Sequence, residues 1–205
     1  MEDSYFDGGL LQLIGYRILG ALITTVTLGI CLPWAYTMIY SWEAKHTVIN
    51  GERLTFDGTA TGLFGNWIKW FLLSIVTLGI YSFWVGIKLK KWRIAHTHTE
   101  SGDQVESYFD GGLAQLVGYI LLGSFITGIT LGICLPWSYT MLYNWEAKHT
   151  VINGQRLQFN GTAVGLFGNW IKWFLLSVIT FGIYGFWLDI KLIQWRTKNT
   201  AFIGE

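Results

Sequence analysis

The sequence predicts an all-α membrane protein, with eight short transmembrane helices arranged as four tandem hairpins. The hairpins form a pseudo-fourfold bundle, pseudo-twofold between halves, that carries small cytoplasmic β-hairpins. Three observations predict it. Phe6-Asp7-Gly8 recurs as Phe56-Asp57-Gly58, Phe109-Asp110-Gly111 and Phe159-Asn160-Gly161, and each copy ends in two tryptophans eight residues apart, Trp34 and Trp42 in the first. Composition is the second: 52% of the 205 residues are hydrophobic, only 13% are charged, and 12 are Trp, which is unusual for a water-facing domain. Third, no Lys or Arg lies in the Thr-x-Gly-Ile segments at Thr27, Thr77, Thr130 and Thr180; the cations gather at the other ends of the apolar runs.

The elements follow in order. Residues 1–9 are acidic and glycine-rich, without the basic start and cleavage pattern of a signal peptide. The apolar runs Leu10–Trp42, Leu63–Leu89, Leu113–Trp145 and Leu166–Leu188 are each too long for one span and suit two short ones. Helix one ends before Thr27-Leu28-Gly29-Ile30, where Gly29 supplies a left-handed turn. Pro33 suits the first turn of helix two, which runs from near Leu32 to about His46. Its roughly 15 residues cover about 23 Å, short of the typical apolar thickness of about 30 Å, so a thinned bilayer or a shallow hairpin is expected. Next, Asn50-Gly51 and Asn153-Gly154 sit between strand formers and predict hairpins. The linker Thr97–Phe109 keeps a strand-like stretch, Gln104–Phe109. A flexible interfacial loop is the rival to this β layer. Residues 4–97 and 107–200 are identical at roughly seven positions in ten, so the chain divides into 1–100 and 101–205, two repeats each in one integrated membrane domain.

The string Thr-x-Gly-Ile-x-x-x-Trp, followed by His-Thr-x-x-x-Gly-x-x-Leu-x-Phe-x-Gly-Thr, resembles the YjgN-like bacterial inner-membrane proteins over essentially the whole chain. The resemblance implies a multi-pass protein of the inner membrane and brings no catalytic residue or cofactor with it.

Aligned copies expose two columns at the ends of the even-numbered helices. Glu43, Arg93, Glu146 and Arg196 alternate in sign and predict a charged ring of inter-repeat ion pairs at the cytoplasmic mouth, either fixing registry, gating ions or forming a solvated rim. His46, His96, His149 and Asn199 form the second. Although Glu-x-x-His occurs in di-metal bundles, the arginines at the matching positions repel a cation and Asn199 breaks the ring, so helix capping is expected rather than a metal. Asp189, an acid in an apolar run, is expected to pair with Lys191 or Lys69, and such acids can mark ion pathways. Asn66 and Lys69, repeated as Asn169 and Lys172, read as interfacial anchors. Cys31 and Cys134 read as free thiols rather than a disulfide.

The near-neutral charge, +1, and the lack of a basic patch argue against nucleic acid. No nucleophile triad, phosphate loop or Cys-x-x-Cys occurs, so neither an enzyme nor a cofactor is expected. The expected partners are membrane lipid, a small ion or solute, and a second copy of the chain. Two functions compete. One is a channel or transporter lined by Thr24, Thr37, Tyr40, Thr127, Thr140 and Tyr143, in the bacterial inner membrane with both termini cytoplasmic. The other is a non-conducting scaffold or membrane-shaping protein that holds a partner through its β layer.

Overall fold

The computed structural model describes residues 3–101 and 105–203. Each quarter of the chain contributes a short strand, a helical hairpin and a return strand. The first half runs β1 (Tyr5–Phe6), α1 (Leu10–Val26), α2 (Leu32–Lys45), β2 (Thr47–Ile49), β3 (Glu52–Phe56), α3 (Ala60–Val76), α4 (Ser82–Ala95) and β4 (Thr97–Thr99). The second half follows suit with β5 (Tyr108–Phe109), α5 (Leu113–Ile129), α6 (Leu135–Lys148), β6 (Thr150–Ile152), β7 (Gln155–Phe159), α7 (Ala163–Ile179), α8 (Gly185–Lys198) and β8 (Thr200–Phe202). Gln104, where the sequence places the start of a strand, lies outside the described residues; Tyr108–Phe109 of that stretch is β5.

The membrane-spanning bundle expected from composition is corrected. Among the described residues no helix is long and apolar enough to cross a membrane. Odd-numbered helices have 17 residues and even-numbered ones 14, about 25 and 21 Å at 1.5 Å per residue. The turn that divides each apolar run lies where the sequence places it; what overturns the spans is that both helices fall short of an apolar thickness of about 30 Å. Localisation as a multi-pass inner-membrane protein falls with them. The β component is also larger than isolated hairpins. It comprises two four-stranded antiparallel sheets, in the orders β1-β2-β3-β4 and β5-β6-β7-β8, which makes this a mixed helix–sheet fold.

Local chemistry explains the repeat signature. Phe6 packs edge-on against Trp42, with ring centroids 5.4 Å apart, and a Cβ at Gly8 would lie 2.5 Å from the Phe6 ring and 2.7 Å from Trp42. The same glycine is equally enclosed at Gly58, Gly111 and Gly161. Asp7 accepts a 2.8 Å bond from Arg53, and Asp110 one from Arg156, so strand β1 or β5 is tied to the adjacent hairpin. Those guanidinium hydrogen bonds hold both carboxyls below the usual range.

The two halves interlock through their hairpin turns. Asn50 (φ 49°) and Gly51 (φ 78°) form a tight left-handed turn, as do Asn153 and Gly154. The Asn50 Oδ1 accepts from the Phe202 amide at 3.2 Å, and the Asn153 Oδ1 accepts from the Thr99 amide at 3.1 Å, so each turn closes the edge strand of the other half. Ile49, Leu54, Ile152, Leu157 and Phe202 form one buried cluster between the sheets. Replacing Asn50 by Gly keeps the turn geometry but strands the buried Phe202 amide. A loss of about 1–3 kcal/mol is expected in chemical denaturation, and an unchanged midpoint would contradict the interlock.

Candidate functional site

The ends of α2, α4, α6 and α8 converge above the sheets around a cavity of about 260 Å³. Its upper wall is charged. Arg93 pairs with Glu43, Lys90 with Glu146, and Arg196 with Glu146 at 2.8 Å. Glu146 therefore serves two cations from two different helices. Its side chain is 19% exposed. Burial pushes its carboxyl up, yet Arg196, Lys90 and Arg93 outweigh that and hold it below its ordinary value. Burial depresses the Lys90 ammonium, and its pairing with Glu146 only partly compensates. The arginines also stack: the Arg93 guanidinium lies 4.5 Å from the Tyr40 ring centre and that of Arg196 5.1 Å from Tyr143. Burial raises both phenols to about 12, against the opposing pull of those cations.

The lower wall is threonine and hydrocarbon. Thr47, Thr97, Thr150 and Thr200 donate their hydroxyls to the carbonyls of Glu43, Arg93, Glu146 and Arg196 at 2.7–2.8 Å, fastening each helix end to the strand that follows. Ile49, Leu54, Ile152 and Leu157 complete the floor.

The structure brings all four members of the charged ring to this cavity. It does not bring the histidines together as ligands. His46, His96 and His149 each place Nδ1 2.8 Å from the carbonyl of Trp42, Trp92 and Trp145, which requires Nδ1 to carry the proton. Asn199 donates from Nδ2 to the Trp195 carbonyl at 2.7 Å, filling the same role as the histidines. Among the described residues no group of three His, Cys, Asp or Glu could hold a metal ion. Both cysteines are free. Asp189 pairs with Arg17, not with Lys191 or Lys69, because α8 closes back on α1. Asn169 bonds the Gly165 carbonyl of its own helix at 3.3 Å, while Lys69 and Lys172 are exposed.

The proposed pore lining is corrected together with the channel. Thr24, Thr37 and Thr140 spend their hydroxyls on carbonyls one helical turn back, Gly20, Pro33 and Pro136. Thr127 bonds Ser138 at 2.9 Å, and Tyr40 and Tyr143 lie under the arginines. Hydroxyls so engaged present no row to a passing ion, and among the described residues no helix is long and apolar enough to cross a membrane. Lys90 is the member of the site that sequence reasoning missed. Its column reads Tyr40, Lys90, Tyr143, Ile193, and a lone charge among apolar residues was the available signal.

No curated protein and no solved structure matches the chain. Nothing in the comparisons joins it to the YjgN-like proteins. A family model does match residues 53–158, a little over half of the chain and covering the second and third repeats. The protein therefore belongs to the family of unknown function DUF6693.

Proposed function

We propose that the protein binds membrane lipid from one side, its four hairpin tips entering the nearer leaflet without crossing it. One observation carries this reading: every tip presents an apolar residue in the left-handed region to the outside. Leu28, Leu78, Leu131 and Phe181 have φ near 50° and are 84%, 94%, 93% and 97% exposed. A large side chain in that backbone region is strained, and in water its exposure brings no gain.

The polar atoms of the tips suit hydrocarbon. Thr27 donates to the Ile23 carbonyl at 2.7 Å and accepts from the Cys31 amide at 3.1 Å, while the Gly29 amide bonds the Thr24 carbonyl at 2.8 Å. The pattern repeats at Thr77, Thr130 and Thr180. Internal satisfaction of backbone groups is what an apolar solvent demands.

Depth follows from charge. From Lys69 to the end of α3 at Val76 is seven residues, and from Arg17 to the end of α1 at Val26 is nine, about 11 and 14 Å at helical rise. Half a hydrocarbon core is about 15 Å, so Lys69 and Arg17 at the headgroups hold the tips within the nearer leaflet. Exposed Lys45, Lys91, Lys148 and Lys198 stand behind this boundary and favour anionic headgroups, each contributing about 1 kcal/mol at most.

Flotation with phosphatidylcholine vesicles, with and without phosphatidylglycerol, tests the reading. The protein is expected to float, more strongly with the anionic lipid. Each tip Leu→Ser change should weaken binding about tenfold, corresponding to roughly 1.4 kcal/mol of lost apolar transfer. Failure to float would refute it. A defined oligomer that hides the tips and ignores vesicles would assign them to a second copy, and a cysteine at position 28 labelled from the far side of sealed vesicles would show that the tip crosses.

A further inference from the structure

We propose that the cavity between the helix ends and the sheets is a binding site for a small carboxylate with a short apolar tail. Three cations, Lys90, Arg93 and Arg196, face two carboxylates, Glu43 and Glu146, around one volume of about 260 Å³. The enclosure therefore carries one positive charge in excess. A second arrangement points the same way. Glu146 is shared between an ammonium and a guanidinium, so neither cation has a carboxylate to itself, whereas Arg93 has Glu43. An entering carboxylate gives Lys90 its own counter-ion and brings the charges to parity. Opposite the cations lie the methyl groups of Ile49, Leu54, Ile152 and Leu157, which suit a hydrocarbon tail and offer no donor to a polar one. Charge at one end and hydrocarbon at the other define an amphiphilic monoanion. At about 30 Å³ per water the volume holds roughly nine waters, room for an acid of a few carbons.

The proposal rests on the cavity and not on the lipid reading, so it is tested on lipid-free purified protein in a neutral detergent. Propionate binding is followed by saturation-transfer NMR and calorimetry at constant ionic strength. Saturable binding is expected with a Kd on the order of 1 mM. Butyrate should bind about fourfold tighter than propionate, in line with one further methylene on the apolar floor, and propionamide should not bind. Lys90→Ile installs the residue that the second half carries at Ile193, and should weaken propionate at least about tenfold, one full charge-assisted contact. Lys90→Arg should retain binding. Lys91→Gln, the exposed neighbour whose counterpart is Gln194, should leave it unchanged. Lys90→Gln serves if the Ile variant fails to melt cooperatively. Absence of saturable binding to the folded wild type, wild-type affinity in the Lys90→Ile and Lys90→Gln variants, or binding of propionamide as tight as propionate would each overturn the proposal. Equal affinity for propionate and butyrate would overturn the assignment of the tail to the floor.

Discussion

Glu146→Gln is expected to destabilise the protein by about 2–4 kcal/mol, more than any other single carboxylate change, because one substitution strands two cations. Lys90 and Arg196 come from repeats two and four and meet only at this carboxylate. Glu43→Gln strands Arg93 alone, so about half the loss is expected there. Thermal unfolding reads the difference; for a chain of this length 1 kcal/mol corresponds to about 2–4 °C. Combining Lys90→Ile with Glu146→Gln removes the stranded ammonium and should restore about 1 kcal/mol or more. Additive losses in that cycle would refute the contact. The sign with pH follows. The folded Glu146 carboxyl lies below its ordinary 4.5, so its contribution is complete above that value and is lost as acid carries the pH through the folded one. The Glu146→Gln variant should lose part of this acid sensitivity.

Gly8→Ala is expected to cost about 1–3 kcal/mol, through overpacking of one methyl rather than any lost bond. The new Cβ would meet the Phe6 ring at 2.5 Å and Trp42 at 2.7 Å, and both rings are buried and wedged against each other. Gly9 is the internal control. Nothing lies within 4 Å of a Cβ there, and the residue caps α1 in an extended conformation, so Gly9→Ser should be neutral or mildly stabilising. Chemical denaturation of the two single variants side by side decides the matter. Equal midpoints would mean that the Phe6–Trp42 wedge yields freely and does not enforce glycine.

Much of the local structure was legible because it is dictated locally. Gly29 and Pro33 mark where α1 stops and α2 begins, and Asn50-Gly51 marks a hairpin whether or not its neighbours are known. Helix reach is nearly right from the same residues, about 23 Å expected for α2 against about 21 Å for its 14 residues; the error lies in letting a thinned bilayer make up the difference to a span. The sheets were legible at their hairpins and at β5, which lies in the strand-like stretch Gln104–Phe109. Strands of two or three residues, such as β1 and β4, carry no periodicity, and they exist because a partner strand lies beside them. Long-range partners were the least accessible. Alternating signs in the Glu43 column make neighbours of Glu43 and Arg93, but Arg17 meets Asp189 across 172 residues through closure of the first helix on the last. Side-chain registers of that kind have no one-dimensional trace.

The reciprocal reach of Asn50 and Asn153 has the form of an isologous contact, in which the same patch is given and received twice. In a twofold dimer every substitution is made at both seams at once. Joining the halves in one chain releases that constraint, and the two seams differ accordingly. Between repeats two and three the bond is Lys90 to Glu146, where the other half has Ile193; between repeats four and one it is Arg17 to Asp189, where the other half has Ile120 and Gly86. A symmetric assembly of half-chains has no way to hold an ammonium at one seam and a methyl group at the other. Covalent linkage is thus what lets the central chamber carry an odd charge.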